Sequence, residues 1–139
     1  PTPVTDNRLM EMNMGDWEMK RYDDIKDDNL QKWYDDYMHV ATTNGESFPM
    51  VYERVAGFLD ELKQKPYRQV AIFAHCGVLL CAGIYGGLFK EEGCFEHTVE
   101  YGGIEEIEIQ EFGIIQNGLN NFLPTMQKKK YSIQDNKNV

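Results

Sequence analysis

Val70-Ala71-Ile72-Phe73-Ala74-His75-Cys76-Gly77-Val78-Leu79-Leu80-Cys81-Ala82-Gly83-Ile84-Tyr85 is the stretch on which the fold turns. Its first five residues are apolar with no polar alternation. This is the pattern of a strand covered on both faces, as in a parallel α/β sheet. His75-Cys76-Gly77 interrupts the run, and Val78 to Tyr85 is apolar nearly all round, which predicts a buried helix. His75 therefore falls between the carboxyl end of a strand and the start of a helix. Ligands in open α/β sheets collect outside the carboxyl ends of strands. A helix N-terminus there offers free N–H groups and a partial positive charge, which suits phosphate. An imidazole at that point can donate to a phosphate oxygen or stabilise a developing charge. The plain alternative is a histidine that caps the strand and bonds internally. Either way the junction is the first place to look.

On the N-terminal side, Phe48, Val51, Tyr52, Val55, Phe58, Leu59 and Leu62 recur at helical spacing. They predict an amphipathic helix whose other stripe carries Glu53, Arg54, Asp60, Glu61 and Lys63. Ser47 is its N-cap, Pro49 falls in its first turn, and Lys65-Pro66 ends it. Further upstream, Tyr22, Ile25, Leu30, Trp33, Tyr34, Tyr37 and Met38 recur loosely at helical spacing. The segment around Met10, Met12 and Met14 has no clean period and reads as a loop turning methionines inward. On the C-terminal side, Ile104–Ile109 and Ile114–Leu119 read as strands joined around Phe112-Gly113, the first with a solvated acidic face. Residues 1–126 form one α/β domain on this reading, and 127–139 a polar, flexible tail. A buried central strand such as 70–74 needs hydrogen-bonding neighbours on both sides. The late strands supply one side only, so a neighbour is missing, from removed sequence or from another chain.

Composition narrows the function classes. The 139 residues hold 14 Lys+Arg against 23 Asp+Glu, a formal charge of −9. Nucleic-acid backbones and anionic lipid surfaces both attract clustered cations, so this balance argues against either partner. The longest apolar stretch, Val78–Phe89, is broken by Gly83, Gly86 and Gly87 and falls short of the ~20 residues of a membrane span. No basic-then-apolar leader opens the chain, and three cysteines make an odd set for a disulfide frame. Together these predict a cytoplasmic protein with reduced thiols. The chain opens on Pro1-Thr2-Pro3 rather than Met, which fits a piece of a longer protein.

Three further groups are candidates for chemistry. Cys76, between strand and helix, stands where some hydrolases keep a thiolate nucleophile. The local string Phe73-Ala74-His75-Cys76-Gly77 lacks the leading glycine of a strained elbow, so a small passive residue is the better reading. Glu11, a lone carboxylate between Met10 and Met12, is a candidate general acid, with an ordinary loop glutamate as the alternative. The cluster Asp23, Asp24, Asp27, Asp28, Asp35 and Asp36 reads as a solvated face. No spacing of histidines or cysteines supports a metal site.

Taken in order, these residues resemble a known family. Leu9-Met10-Glu11, Gly15-Asp16-Trp17-Glu18-Met19, Asn44-Gly45-Glu46, Ala74-His75-Cys76-Gly77-Val78-Leu79 and Val99-Glu100-Tyr101-Gly102 resemble the histidine phosphatase (phosphoglycerate mutase-like) superfamily, most of all its alpha-ribazole phosphatase branch. The likeness runs from about Arg8 to Phe122. It implies the C-terminal part of a three-layer fold with a mostly parallel sheet, missing its N-terminal strands. It implies hydrolysis of a small-molecule phosphomonoester through a phosphohistidine, in the cobalamin pathway, with no cofactor. Glu11 would protonate the leaving oxygen, His75 would be the second active-site histidine, and the backbone N–H groups of Cys76 and Gly77 would face the phosphate. The family's nucleophile lies in an Arg-His-Gly motif, and this chain contains no Arg-His dipeptide. Alone it is expected to be inactive, to pair with a missing N-terminal segment, or to self-associate. A mutase, a broad-specificity phosphatase, a non-catalytic assembly module and a Cys76 thiol hydrolase are the rival readings.

Overall fold

The computed structural model describes residues 2–109 and 129–135. Its regular elements are α1 (Asn29–Asp35), α2 (Phe48–Lys63), β1 (Gln69–Ala74), α3 (Cys76–Tyr85), β2 (Ile104–Ile109) and β3 (Lys129–Asp135). Short 3-10 turns stand at Asn7–Leu9, Gly15–Trp17, Tyr22–Asp24 and Cys94–His97. Helix α2 follows the expected stripe: Phe48, Val51, Val55, Leu59 and Leu62 are buried, with Pro49 in the first turn. Ser47 takes extended cap geometry, although its side chain makes no cap bond. Helix α3 is buried on nearly every side, with Val78 through Gly83 out of water. The expected helix over Tyr22–Met38 contracts to the seven residues of α1 and the turn at Tyr22–Asp24. Aromatic contacts tie the two pieces together, with Trp33 of α1 edge-on to Trp17 and stacked on Tyr22, each at 5.8 Å between centroids.

One core joins α2, α3 and the sheet through Val51, Val55, Leu59, Val78, Leu79, Ile72 and Ile107. Each such aliphatic side chain contributes about 1.5–3 kcal/mol on leaving water, so this cluster is what fixes α3 against the sheet. The three strands lie in the order β1-β3-β2, β1 parallel to β3 and β2 antiparallel to it. Residues 129–135, within the stretch read as a flexible tail, thus form a strand. The alternation Tyr131-Ser132-Ile133 is the strand signal which that reading passed over. The expected strand at 114–119 lies outside the described residues, as does the boundary at 126.

Two strand faces depart from expectation. β1 is covered on one face only: Ile72 and Ala74 are buried, while Ala71 and Phe73 face water, Phe73 at 61% exposure. Among the described residues, α2 and α3 pack on that one side, and β1 forms an edge of the sheet. In β2 the face expected to be apolar includes a carboxylate. Glu105 shares the buried face with Ile107 and Ile109, while Ile104 stands in solvent beside Glu106 and Glu108. Alternation fixes which residues share a face but not which face turns inward. Gly83 of α3 makes room for this arrangement, since a methyl group there would lie 2.9 Å from Glu105 Oε1 and closer still to the Phe89 ring.

Candidate active site

No loop residue separates β1 from α3 except His75. It takes extended geometry, φ −121° and ψ 167°, and its carbonyl accepts the first helical hydrogen bond from the Leu79 N–H at 2.9 Å. The N–H groups of the following turn have no acceptor within the helix. One of them, that of Gly77, donates at 3.3 Å to Glu11 Oε2, across 66 residues of sequence. The other oxygen, Oε1, accepts from the Met12 N–H at 2.9 Å. Gly77 has to be glycine for this approach, because a Cβ there would sit 2.5 Å from Glu11 Oε1. The carboxylate of Glu11 thus lies against the start of α3, immediately beyond His75. His75, Cys76 and Gly77 are all half-buried there.

Glu11 has no regular structure to hold it. Its segment is instead tied to two other parts of the chain. The turn at Thr42–Glu46 interlocks with Asn13–Asp16: Glu46 N–H donates to the Asn13 carbonyl at 2.8 Å and Asp16 N–H to the Thr43 carbonyl at 2.9 Å. Asn44 Nδ2 donates to Asp16 Oδ2 at 2.9 Å. Gly15, at φ +56°, and Gly45 permit the close crossing, since a side chain on either would strike the opposite backbone. This interlock joins the Gly15-Asp16-Trp17 turn to Asn44-Gly45-Glu46.

The second tie comes from α2. Arg54 Nε and Nη2 donate to the two oxygens of Glu46 at 2.8 and 3.0 Å. Its Nη1 donates to the carbonyls of Arg8 and Met10 at 2.7 and 2.8 Å, and Nη2 also reaches the Glu11 carbonyl at 3.2 Å. Glu46 Oε2 in turn accepts from the Asn13 N–H at 2.8 Å. Arg54 holds the Glu46 carboxyl below the usual carboxylate range. Arg8 fixes the start of the segment, lying over the Phe58 ring and bonding Asp6 and Glu61.

The structure brings Glu11 to Gly77, in the first turn after His75. Cys81 and Cys94 are buried, and burial pushes the Cys81 thiol up to about 12. The methionines divide: Met12 packs against the core and Met10 stands in water. Arg54 and Glu46 are the residues that sequence reasoning missed. Arg54 had been placed on the solvated stripe of α2, yet it falls three residues after Val51 and four before Phe58. Those are the intervals of the apolar stripe itself. An arginine at stripe spacing needs acceptors, and that was the available signal.

The model of the histidine phosphatase superfamily (branch 1) matches residues 1–121. The chain belongs to the histidine phosphatase superfamily. Within it, the chain is 32% identical to the adenosylcobalamin/alpha-ribazole phosphatase of Escherichia coli K12 over 109 residues, 74% of this chain and 53% of that protein. It is 33% identical over 75 residues to the protein of the same name from Salmonella typhimurium LT2, 51% of this chain and 37% of that one. It is 25% identical over 72 residues to phosphoserine phosphatase 1 of Hydrogenobacter thermophilus, 50% of this chain and 34% of that protein. The chain spans about half the length, or less, of these curated relatives. No solved structure matches it.

Proposed function

We propose that the protein to which this chain belongs hydrolyses a small phosphomonoester through a phosphohistidine, with alpha-ribazole phosphate as the substrate. The observation that carries the reading is the Glu11 carboxyl group at the N-terminus of α3, held by the Gly77 N–H two residues after His75. In this reading the phosphoryl group sits over the first turn of α3. The Cys76 N–H and the His75 ring bear its charge, joined by the Gly77 N–H when phosphate displaces the Glu11 oxygen from it. A nucleophilic histidine attacks phosphorus and the P–O bond breaks, while the Glu11 carboxyl proton passes to the leaving alkoxide. The Glu11 carboxylate then takes a proton from water, which attacks phosphorus. The P–N bond breaks, inorganic phosphate leaves, and the histidine is regenerated.

The nucleophile comes, on this proposal, from a segment outside the 139 residues. Three observations support that. The sequence contains no Arg-His dipeptide. The arginines of the Glu11 segment and its clasp, Arg8 and Arg54, are already bonded to carboxylates and carbonyls. Neither is placed to take up the charge of a phosphate dianion. The edge of β1 away from β3 has no strand beside it among the described residues, and a parallel strand there would complete the proposed mostly parallel three-layer fold.

The test is phosphate release by the encoded protein, including any residues before Pro1, from alpha-ribazole phosphate, phosphoserine and 3-phosphoglycerate. Preference for the first, with an acid-labile phosphoryl-enzyme, is expected. Preference for another ester would move the protein to another branch of the superfamily. No turnover of any ester would favour a non-catalytic module that keeps the fold.

A further inference from the structure

Glu11 must keep one carboxyl oxygen at the start of α3, although its segment has no helix or strand to fix it. The main-chain carbonyls of Arg8, Met10 and Glu11 all turn toward one guanidinium, that of Arg54. A carbonyl run converging on a single planar fork fixes the path of the backbone, and so the direction in which the residue 11 side chain leaves it. The fork is itself oriented by both oxygens of Glu46. Glu46 closes the loop by accepting the Asn13 N–H, just beyond Glu11. An ammonium group cannot reproduce this arrangement, because it lacks the rigid, planar set of five donors.

We propose that Arg54, oriented by Glu46, is a positioning residue for proton transfer by Glu11, acting through the backbone of residues 8–13. It touches neither phosphate nor leaving group. The catalytic half of this inference rests on the phosphomonoesterase reading above; the positional half does not. Loss of the fork lets the segment drift, so that Glu11 leaves Gly77 while His75 and α3, held by apolar packing, stay in place.

Two measurements separate the halves. The first follows the Gly77 amide proton by NMR in the encoded protein when Glu11→Gln is introduced, with Arg54 intact and with Arg54→Lys. With Arg54 intact, removing the carboxylate should move that resonance upfield. In Arg54→Lys the same change should leave it unmoved, with the core methyl resonances unchanged. A Gly77 response equal in both backgrounds overturns the proposal. So does a collapse of the core methyl spectrum in both Arg54→Lys and the milder Glu46→Gln, because the clasp would then be holding the fold rather than Glu11.

The second measures kcat/KM in the encoded protein for p-nitrophenyl phosphate, whose phenolate leaves without a proton, and for glycerol 3-phosphate, whose alkoxide needs one. General-acid help is worth roughly 10²–10⁴-fold. Arg54→Lys should therefore lose about tenfold or more on the alkyl ester relative to the aryl ester. An equal loss on both esters overturns the catalytic half. Absence of turnover by the unmodified protein overturns the phosphomonoesterase reading and the catalytic half with it, and the Gly77 result then decides the positional half.

Discussion

Two glutamates, both drawn largely out of water, are treated in opposite ways. Glu46 meets the Arg54 fork with both oxygens and stays charged, below its ordinary range. Glu105, 8% exposed on the core face of β2, finds no partner for Oε1 among the described residues, and burial pushes it up to about 7. The first carboxylate organises the chain around it, linking α2 to two loops. The second is tolerated by its surroundings, through the space that Gly83 leaves. The contrast shows that a buried acid is informative only through what faces it. Partnered, it marks a joint; unpartnered, it marks a group that gives up its charge.

Breaking the joint should produce the largest effect. Arg54→Ala leaves Glu46 facing a gap and strips donors from three carbonyls, at a cost of about 3 kcal/mol. Urea denaturation at pH 7 reads this directly, and a cost under about 0.5 kcal/mol would put the clasp among ordinary surface pairs. The unpartnered acid should respond with the other sign. Glu105 ionises at about 4.5 once unfolded but at about 7 when folded. Between those values the folded protein holds the extra proton, so stability falls as pH rises through that window and levels off above it. Glu105→Gln should remove this decline and stabilise the protein by about 2 kcal/mol at pH 8, with little change at pH 4. Denaturant midpoints across pH 4–8 check it, and parallel curves for the two proteins would refute it.

A smaller change is expected on the acid side. Because the Glu46 carboxyl is lowered from 4.5, its contribution is present above that value and lost as pH falls below it. Glu46→Gln should flatten that acid limb while leaving the neutral decline, measured on the same midpoints. Smallest in stability is Gly77→Ala, which tests a third glutamate. The added methyl must displace Glu11 Oε1, while alanine favours the helix by about 1 kcal/mol over glycine. A thermal melt should therefore move little, although the Glu11–Gly77 bond is broken. A strongly lowered melt would mean that Glu11 cannot swing aside.

The sequence made some of this plain and hid the rest, for physical reasons. The strand–histidine–helix unit and the stripe of α2 were legible because apolar burial is periodic, and Phe48 to Leu62 obey that period. Glu11 and Gly77 were legible only through an ordered set of motifs, since nothing in a 66-residue separation announces a contact. The clasp was hidden because a hydrogen-bonding side chain at stripe spacing resembles a solvated one until its acceptors are in place. The inward turn of Glu105 was hidden because Ile104–Ile109 alternates equally well in either sense. The exposed face of β1 escaped notice because a run such as Val70–Ala74 states what the strand would tolerate on both faces, not what the described residues supply.

The absence of slack at His75 has a consequence for changes in chain length. Strand ends at Ala74 and helix begins at Cys76. One residue inserted between them would turn everything downstream by about 100° around the helix axis. The Gly77 N–H would swing off Glu11, and Val78 and Leu79 would leave the core together. The irregular stretch between Tyr85 and Ile104, with only the short turn at Cys94–His97, carries no such constraint. Insertions that survive selection or library screening should therefore gather there, while the junction at 74–76 stays closed to them, whatever residues are inserted.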